Sequence, residues 1–353
     1  MSDHALAGPR PAPTRRGGAE RGSDYAELSR RVRQAGLLDR RHAYYVAKIA
    51  TNGVLLCGGW TAFFLLGSSW YQLIVAAFLA VAFTQVAFLG HDAGHQQVFR
   101  RRRANRLVGL LHGNLLIGLS YDWWVSKHNR HHSHPNEEGR DPDIGAGGIV
   151  FTRGDAAARR RLGRLLARYQ AYLFFPLTLF EAVALHVASI RAVLRAGVRG
   201  RPAEAALLAV HFGGYLAAVA LVLSPVQAVA FVAVQQGLFG LYLGCSFAPN
   251  HKGMPMVSEE DNLDFLRRQV LTSRNVRGGR FVDFLLGGLN HQIEHHLFPS
   301  MPRPSLRRAR TLVRAFCQQH GVPYHESTLV ASYAQALRHL NAVGRPPRPA
   351  VTD

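Results

Sequence analysis

AKIATNGVLLCGGWTAFFLLG, residues 47–67, is followed after only Ser68-Ser69-Trp70 by YQLIVAAFLAVAFTQVAFLG, residues 71–90. Each stretch is long and apolar enough to cross a bilayer, which takes about 20 residues in helical form. A joint so short and uncharged makes the two a hairpin that starts and ends on one side. Arg40 and Arg41 precede it and Arg100 to Arg103 follow it. Basic residues flank spans on the cytoplasmic side, so both ends of the hairpin are placed there. A second pair, 205–223 and 226–248, turns at Ser224-Pro225, again without charge. The sequence thus predicts an all-α membrane protein: four transmembrane helices in two hairpins with a cytoplasmic helical cap.

The composition agrees. Hydrophobic residues make up 48% of the 353 residues and charged residues only 18%. The formal net charge is +20, carried almost wholly by arginine, since lysine stands only at Lys48, Lys127 and Lys252. The charge lies in blocks beside apolar segments, a pattern that suits anionic lipid headgroups rather than nucleic acid. Three widely spaced cysteines, Cys57, Cys245 and Cys317, form neither a disulfide framework nor a cysteine zinc site. No cleavable signal peptide is visible.

Residues 1–22, rich in Pro, Gly and Arg, are expected to be a disordered tail, as is 341–353, leaving 23–340 as one membrane domain. Residues 24–40 carry leucine and valine at helical spacing, an amphipathic helix expected to lie on the membrane surface. The apolar run 107–119 is too short to span and reads as re-entrant or interfacial. An arginine-rich helix is expected over 154–168. Residues 169–189, with Pro176, Glu181 and His186, read as a half-buried interfacial helix. A soluble helix is expected near 304–320, followed by a helical tail.

Three clusters of histidine sit on the predicted cytoplasmic side: His91-Asp-Ala-Gly-His95, His128-Asn-Arg-His131-His132, and His291-Gln-Ile-Glu-His-His296. Residues at i and i+3 or i+4 share a helix face. That relation joins His91 to His95, His128 to His131 and His132, and Gln292 to His295 and His296. Imidazole suits iron, zinc and copper. Seven such histidines exceed the needs of one tetrahedral ion and indicate a di-metal site. His251, at the end of the fourth span behind Asn250, is a further candidate ligand. His4, His42, His320, His325 and His339 read as surface residues. His112, His186 and His211 read as hydrogen-bonded core residues, and His134 as an outer neighbour of the second cluster.

HDAGH, HNRHH and QIEHH resemble, in order and spacing, the three histidine boxes of the integral-membrane fatty acid desaturases. The variant is the bacterial acyl-CoA or acyl-lipid type with a Gln-x-x-His-His third box. The similarity runs from about Tyr25 to Leu340. It implies two iron ions held by His91, His95, His128, His131, His132, His295 and His296, with His251 matching the additional ligand after the fourth span. In the third box Gln292 stands where many members have histidine, and is either a ligand or an orienting group. His291 is one residue early, about 100° round a helix, and is the alternative ligand. Asp92, Asn290 and Glu294 are candidates to orient the imidazoles.

The implied reaction uses O2 and two electrons to remove two hydrogens from an acyl chain of an acyl-CoA or acyl lipid. The iron would supply redox chemistry that zinc lacks. Position selects one methylene among many alike, so a narrow apolar tunnel is expected. Arg100 to Arg103, Arg159 to Arg161 and Arg307 to Arg310 are candidates for the substrate headgroup. The chain shows no His-Pro-Gly-Gly haem motif and no iron–sulfur cysteine pattern. Electrons are therefore expected from NAD(P)H through an external reductase and a carrier such as ferredoxin. The expected location is the cell (inner) membrane, with the metal site on the cytoplasmic side. The nearest alternative on the same scaffold is a fatty acyl or carotenoid hydroxylase or ketolase. A zinc membrane hydrolase or receptor, and a nucleic-acid-binding protein, are the more distant ones.

Overall fold

The computed structural model describes residues 23–145, 147–195 and 200–345, and among these the chain is helical apart from one two-stranded ribbon. The helices are α1 (Asp24–Gln34), α2 (His42–Leu66), α3 (Gln72–Gly94), α4 (Arg102–Leu110), α5 (Tyr121–Ser133), α6 (Arg153–Ala158), α7 (Arg161–Thr178), α8 (Glu181–Leu194), α9 (Arg201–Val222), α10 (Pro225–His251), α11 (Phe265–Leu271), α12 (Arg280–Leu285), α13 (Gln292–Leu297), α14 (Arg303–Gln319) and α15 (Leu329–Gly344). A π-helical turn, Leu111–Leu116, continues α4. The ribbon pairs β1 (Asn275–Arg277) with β2 (Glu326–Thr328) in parallel.

Among the described residues four helices are each long and apolar enough to cross a membrane, α2, α3, α9 and α10, and the bent pair α7–α8 would make a fifth if taken as one span. The four single helices are those the sequence marks, and α3 and α10 run further than expected. α3 continues to Gly94 and α10 to His251, so His91 and His251 each ride on the last turn of an apolar helix. Gln72, a buried residue at the start of α3, donates to the carbonyls of Phe63 and Gly67 and fixes the α2–α3 joint. Ser224 and Gln227 form a capping box where α10 begins behind Pro225. α10 packs along α3 and α8. At Gly240 a Cβ would come within 2.8 Å of the Thr178 carbonyl and the Ala182 amide, so only glycine lets α10 approach this closely. α9 packs on the π-helical turn and α8 more than on α10.

Several expectations need correcting. α1 is amphipathic, but its buried Leu28 and Val32 pack in a core with Val313, Phe316 and Ile293, not on a lipid surface. Periodicity shows that one face is covered and is silent about the cover. The helix expected over 154–168 is broken at Arg159–Arg160 into α6 and α7, and the segment expected over 169–189 bends by 79° between α7 and α8, after Pro176. The run 107–119 is helical in α4 and the π-helical turn, against α3 and α9. α15 continues to Gly344, past the expected boundary at 340. The tail at 1–22 and the end of the other, 346–353, lie outside the described residues. The three cysteines are free.

Candidate metal centre

Four elements bring eight imidazoles together. α3 supplies His91 and, just past its end, His95; α5 supplies His128, His131 and His132; α10 supplies His251; α13 supplies His295 and His296. One ring nitrogen each from His91, His95, His128 and His295 lie within 4.8 Å of one another, and so do those of His131, His251 and His296. His132 sits between the groups, its ring 4.5 Å from that of His95 and stacked 4.1 Å from that of His296. Trp124 stacks on His128 at 4.4 Å.

Local structure explains the aim of each ring. α5 starts at Ser120, whose side chain accepts from the Trp123 amide. The buried carboxylate of Glu204, from α9, takes the Ser120 hydroxyl and the Asp122 amide, the latter at 2.8 Å. The end of α10 is held by Arg274, fully buried, whose guanidinium donates to the carbonyls of Pro249, Lys252 (2.9 Å) and Ser332 (3.3 Å). α13 has two turns at most and is held by its neighbours. The Asn275 side-chain oxygen accepts from the Ile293 amide at 2.9 Å, and Asn275 and the Tyr324 hydroxyl both donate to Glu294.

The second group carries a pattern of anchored rings. His131 meets Asp141 through Nδ1 at 3.0 Å, His251 meets the Thr272 carbonyl through Nδ1 at 3.0 Å, and His296 meets the Gln269 side-chain oxygen through Nδ1 at 2.9 Å. Each Nδ1–H is thereby donated outward, which leaves the Nε2 lone pair facing the centre. Across both groups, buried ring nitrogens lack any hydrogen-bond partner among the described residues: Nε2 of His91, His95 and His296, Nδ1 of His132, and both nitrogens of His295. Each buried polar atom left so costs about 1–3 kcal/mol. The unpartnered nitrogens of His91, His95 and His295 in the first group, and that of His296 beside the converging rings of His131 and His251 in the second, fit cations of the imidazole-preferring kind.

Burial, reinforced by the neighbouring imidazoles, holds His132, His295 and His296 well below the ordinary histidine pKa. They are neutral near pH 7, as ligands must be. The sign for stability follows. Between its folded value and about 6.5, each ring is protonated only in the unfolded chain, so stability is complete above that pH and falls on acidification. The metal-free protein is expected to lose thermal stability between pH 7.5 and 5.5, by at most about 1.4 kcal/mol per imidazole per pH unit. A thermal-shift series in detergent checks this, and a midpoint that rises on acidification would contradict it.

Other candidate residues fall differently. Gln292 reaches the second group, its side-chain nitrogen 2.9 Å from His251 Nε2. His291 turns away: its Nε2 lies 3.2 Å from Asp283 and its ring joins neither group. The Asn290 side chain bonds Asp283 and His291, and the Glu294 carboxylate accepts from Asn275 and Tyr324, so neither side chain meets a ring of the two groups. Asn290 precedes α13, and Glu294 leaves the helix toward Asn275 and Tyr324. Asp92 approaches His91 Nδ1 loosely, at 3.5 Å, and is engaged at 2.6 Å by the half-buried Arg303. His112, His186 and His211 are hydrogen-bonded to the carbonyls of Val108, Gly118 and Leu115. His134 bonds Glu137.

Among the arginines, Arg159 donates to the Gly147 carbonyl, Arg307 to Asp283 and Arg310 to Glu326, whereas Arg100, Arg101 and Arg160 are exposed. Sequence reasoning missed Asp141, Gln269, Arg274 and the Thr272 carbonyl. The signal for Asp141 was its place in the polar loop just after the second cluster; the other three carry none.

A family model described as fatty acid desaturase matches residues 68–328. The chain is 29% identical to an acyl-lipid (9-3)-desaturase of Physcomitrium patens over 91% of its own length and 62% of the moss protein's. It therefore spans about three fifths of that relative. It is 30% identical to a Delta(8)-fatty-acid desaturase of Euglena gracilis, over 91% of this chain and 79% of that one. To a Delta(6)-fatty-acid desaturase of Caenorhabditis elegans it is 29% identical, over 90% and 74%.

Proposed function

Since the chain belongs to the fatty acid desaturase family, we propose that it places a double bond in the acyl chain of an acyl lipid or acyl-CoA at a di-iron centre. The observation that carries this reading is the pair of convergent histidine groups, with buried ring nitrogens of His91, His95, His295 and His296 left unpartnered. His91, His95, His128 and His295 would hold one iron and His131, His251 and His296 the other, with His132 between them. When bound, iron supplies the redox chemistry by which O2, two electrons and two protons take two hydrogens from adjacent carbons and leave as two waters.

The protein's own part is placement and exclusion. Asp141, Gln269 and the Thr272 carbonyl fix the tautomers of three rings. Gln292 lies close enough to His251 to act as a ligand or to orient that ring. The cavity against His91, lined by Gly90, Ile117 and Leu243, offers an apolar wall to the reacting carbons. Exposed Arg100, Arg101 and Arg160 are available to an anionic headgroup, and Arg159 to Arg161 and Arg307 to Arg310 are otherwise placed in pairs or at the surface.

We place residues 23–340 as one membrane domain, with α2–α3 and α9–α10 as two transmembrane hairpins. By the arginine distribution the histidine centre lies at the cytoplasmic face of a cell (inner) membrane. Electrons come from NAD(P)H through a reductase and a carrier such as ferredoxin.

Expression in cells that lack the corresponding unsaturated acid tests the reading, with fatty acids profiled by gas chromatography and the double bonds located. A new unsaturated acid is expected. A hydroxylated product would move the assignment to the hydroxylase or ketolase alternative. Unchanged lipids in membranes shown to hold the iron-loaded protein and a competent reductase would overturn it.

A further inference from the structure

The two histidine groups are built differently. In the second, every ring has a partner on its outer side. Nδ1 of His131, His251 and His296 meets Asp141 at 3.0 Å, the Thr272 carbonyl at 3.0 Å and the Gln269 side-chain oxygen at 2.9 Å. These acceptors are themselves fixed. Asp141 also takes the amides of Asn136 and Asp143, and Gln269, fully buried on α11, donates to the His132 carbonyl at 2.8 Å.

In the first group no ring is held in this way. His91 has only the loose contact with Asp92 at 3.5 Å, and that carboxylate is engaged by Arg303 at 2.6 Å. His95 Nε2 and both nitrogens of His295 are unpartnered among the described residues. His128 meets only another imidazole, His132, at 3.1 Å. Exposure differs in the same sense. His131, His251 and His296 are all buried, whereas His128 is partly exposed, beside exposed Asn129 and Arg130.

Each group has one internal contact that a cation must displace, His128 with His132 in the first and Gln292 with His251, at 2.9 Å, in the second. These costs offset. The first group has four rings and the second three. Against that extra ring stand the outer bonds, each of which is worth about 10–100-fold in metal affinity. Three rings already aimed bind more tightly than four whose aim must be fixed on binding. We propose that the two groups fill in order: His131, His251 and His296 take the first ion and hold it, while the ion at His91, His95, His128 and His295 is the labile one, exchanging beside His128. This rests on the di-iron reading and adds that the centre is unequal. A chain with only the second group filled is then folded, holds one iron and does not desaturate, so activity follows metal supply through the first group.

Release of ferrous iron to an excess of a coloured chelator, followed without oxygen in detergent, is the test. The wild type is expected to lose its iron in two phases of equal size, with rates at least about tenfold apart. Desaturation measured on samples withdrawn over time is expected to vanish with the fast phase, while one iron per chain remains. Gln269→Ala removes only the acceptor behind His296, so it is expected to speed the slow phase by about 10–100-fold and to leave the fast one unchanged. His128→Ala is expected to retain the slow iron alone. Release of both irons in a single phase from the wild type would overturn the proposal without any variant. A slow phase untouched by Gln269→Ala in a protein of wild-type thermal midpoint, or loss of the slow iron in His128→Ala, would overturn it as well. A wild type that binds no iron would instead remove the di-iron reading, and this proposal with it.

Discussion

His295→Ala is expected to lose iron and at least about a thousandfold in desaturation, equivalent to ~4 kcal/mol of transition-state stabilisation. His295 is 1% exposed and both of its ring nitrogens lack a hydrogen-bond partner. Its ring centre lies 4.8 Å from those of His91, His95 and His132, so it touches the first group and the ring between the groups. Alanine removes a ligand position and leaves the other imidazoles converging on a poorly held cation. Metal analysis of the purified variant and product analysis by gas chromatography are the checks, with His42→Ala, at an exposed position, as the comparison. Full iron content together with wild-type product would show that His295 is a packing residue.

Asp141→Ala is expected to weaken iron retention by about 10–100-fold and to destabilise the fold as well. The carboxylate is 2% exposed and serves three donors: His131 Nδ1, the Asn136 amide at 2.8 Å and the Asp143 amide at 2.9 Å. Burial is the largest single influence and raises its pKa, but the hydrogen bond and charge of His131 together with the Asp143 amide hold the carboxyl below its usual range. Each donor stranded by alanine costs about 1–3 kcal/mol. His131 would also lose the acceptor that fixes its tautomer. Asp141→Asn keeps the shape and one acceptor oxygen, so it should lie between wild type and alanine. Iron remaining after dialysis against a graded chelator, read beside the thermal midpoint, separates the two effects. A variant that loses stability but retains iron like the wild type would assign Asp141 to the fold alone.

How much of this was legible in the sequence differs by level. The four long apolar helices and the three histidine clusters stood out because each is local: one rests on composition over about 20 residues, the other on i, i+3 and i+4 spacing. His251 was found by its place behind the last apolar stretch, and α10 carries it to the second group. Partners that arrive from elsewhere were hidden. Gln269 anchors His296 from α11, and Arg274 reaches back 25 residues to the Pro249 carbonyl; neither leaves a motif.

The third cluster shows the limit most clearly. Five of its six residues are polar candidates, and only the three-dimensional path of the chain into α13 separates Gln292, which reaches His251, from His291, which reaches Asp283. The same holds for α1, whose apolar stripe fits a membrane or a protein core equally well until Phe316 and Val313 are found against it. The bend between α7 and α8 had a visible signal in Pro176, but its size, 79°, is set by packing on α10 and α15.

The most direct test of a centre divided between two histidine groups is the metal content of the purified protein, measured per chain by mass spectrometry for the wild type and for His251→Ala. Two irons per chain are predicted for the wild type, with one lost preferentially when His251 leaves the group it forms with His131 and His296. A single tightly held zinc, unaffected by His251→Ala, would contradict the account.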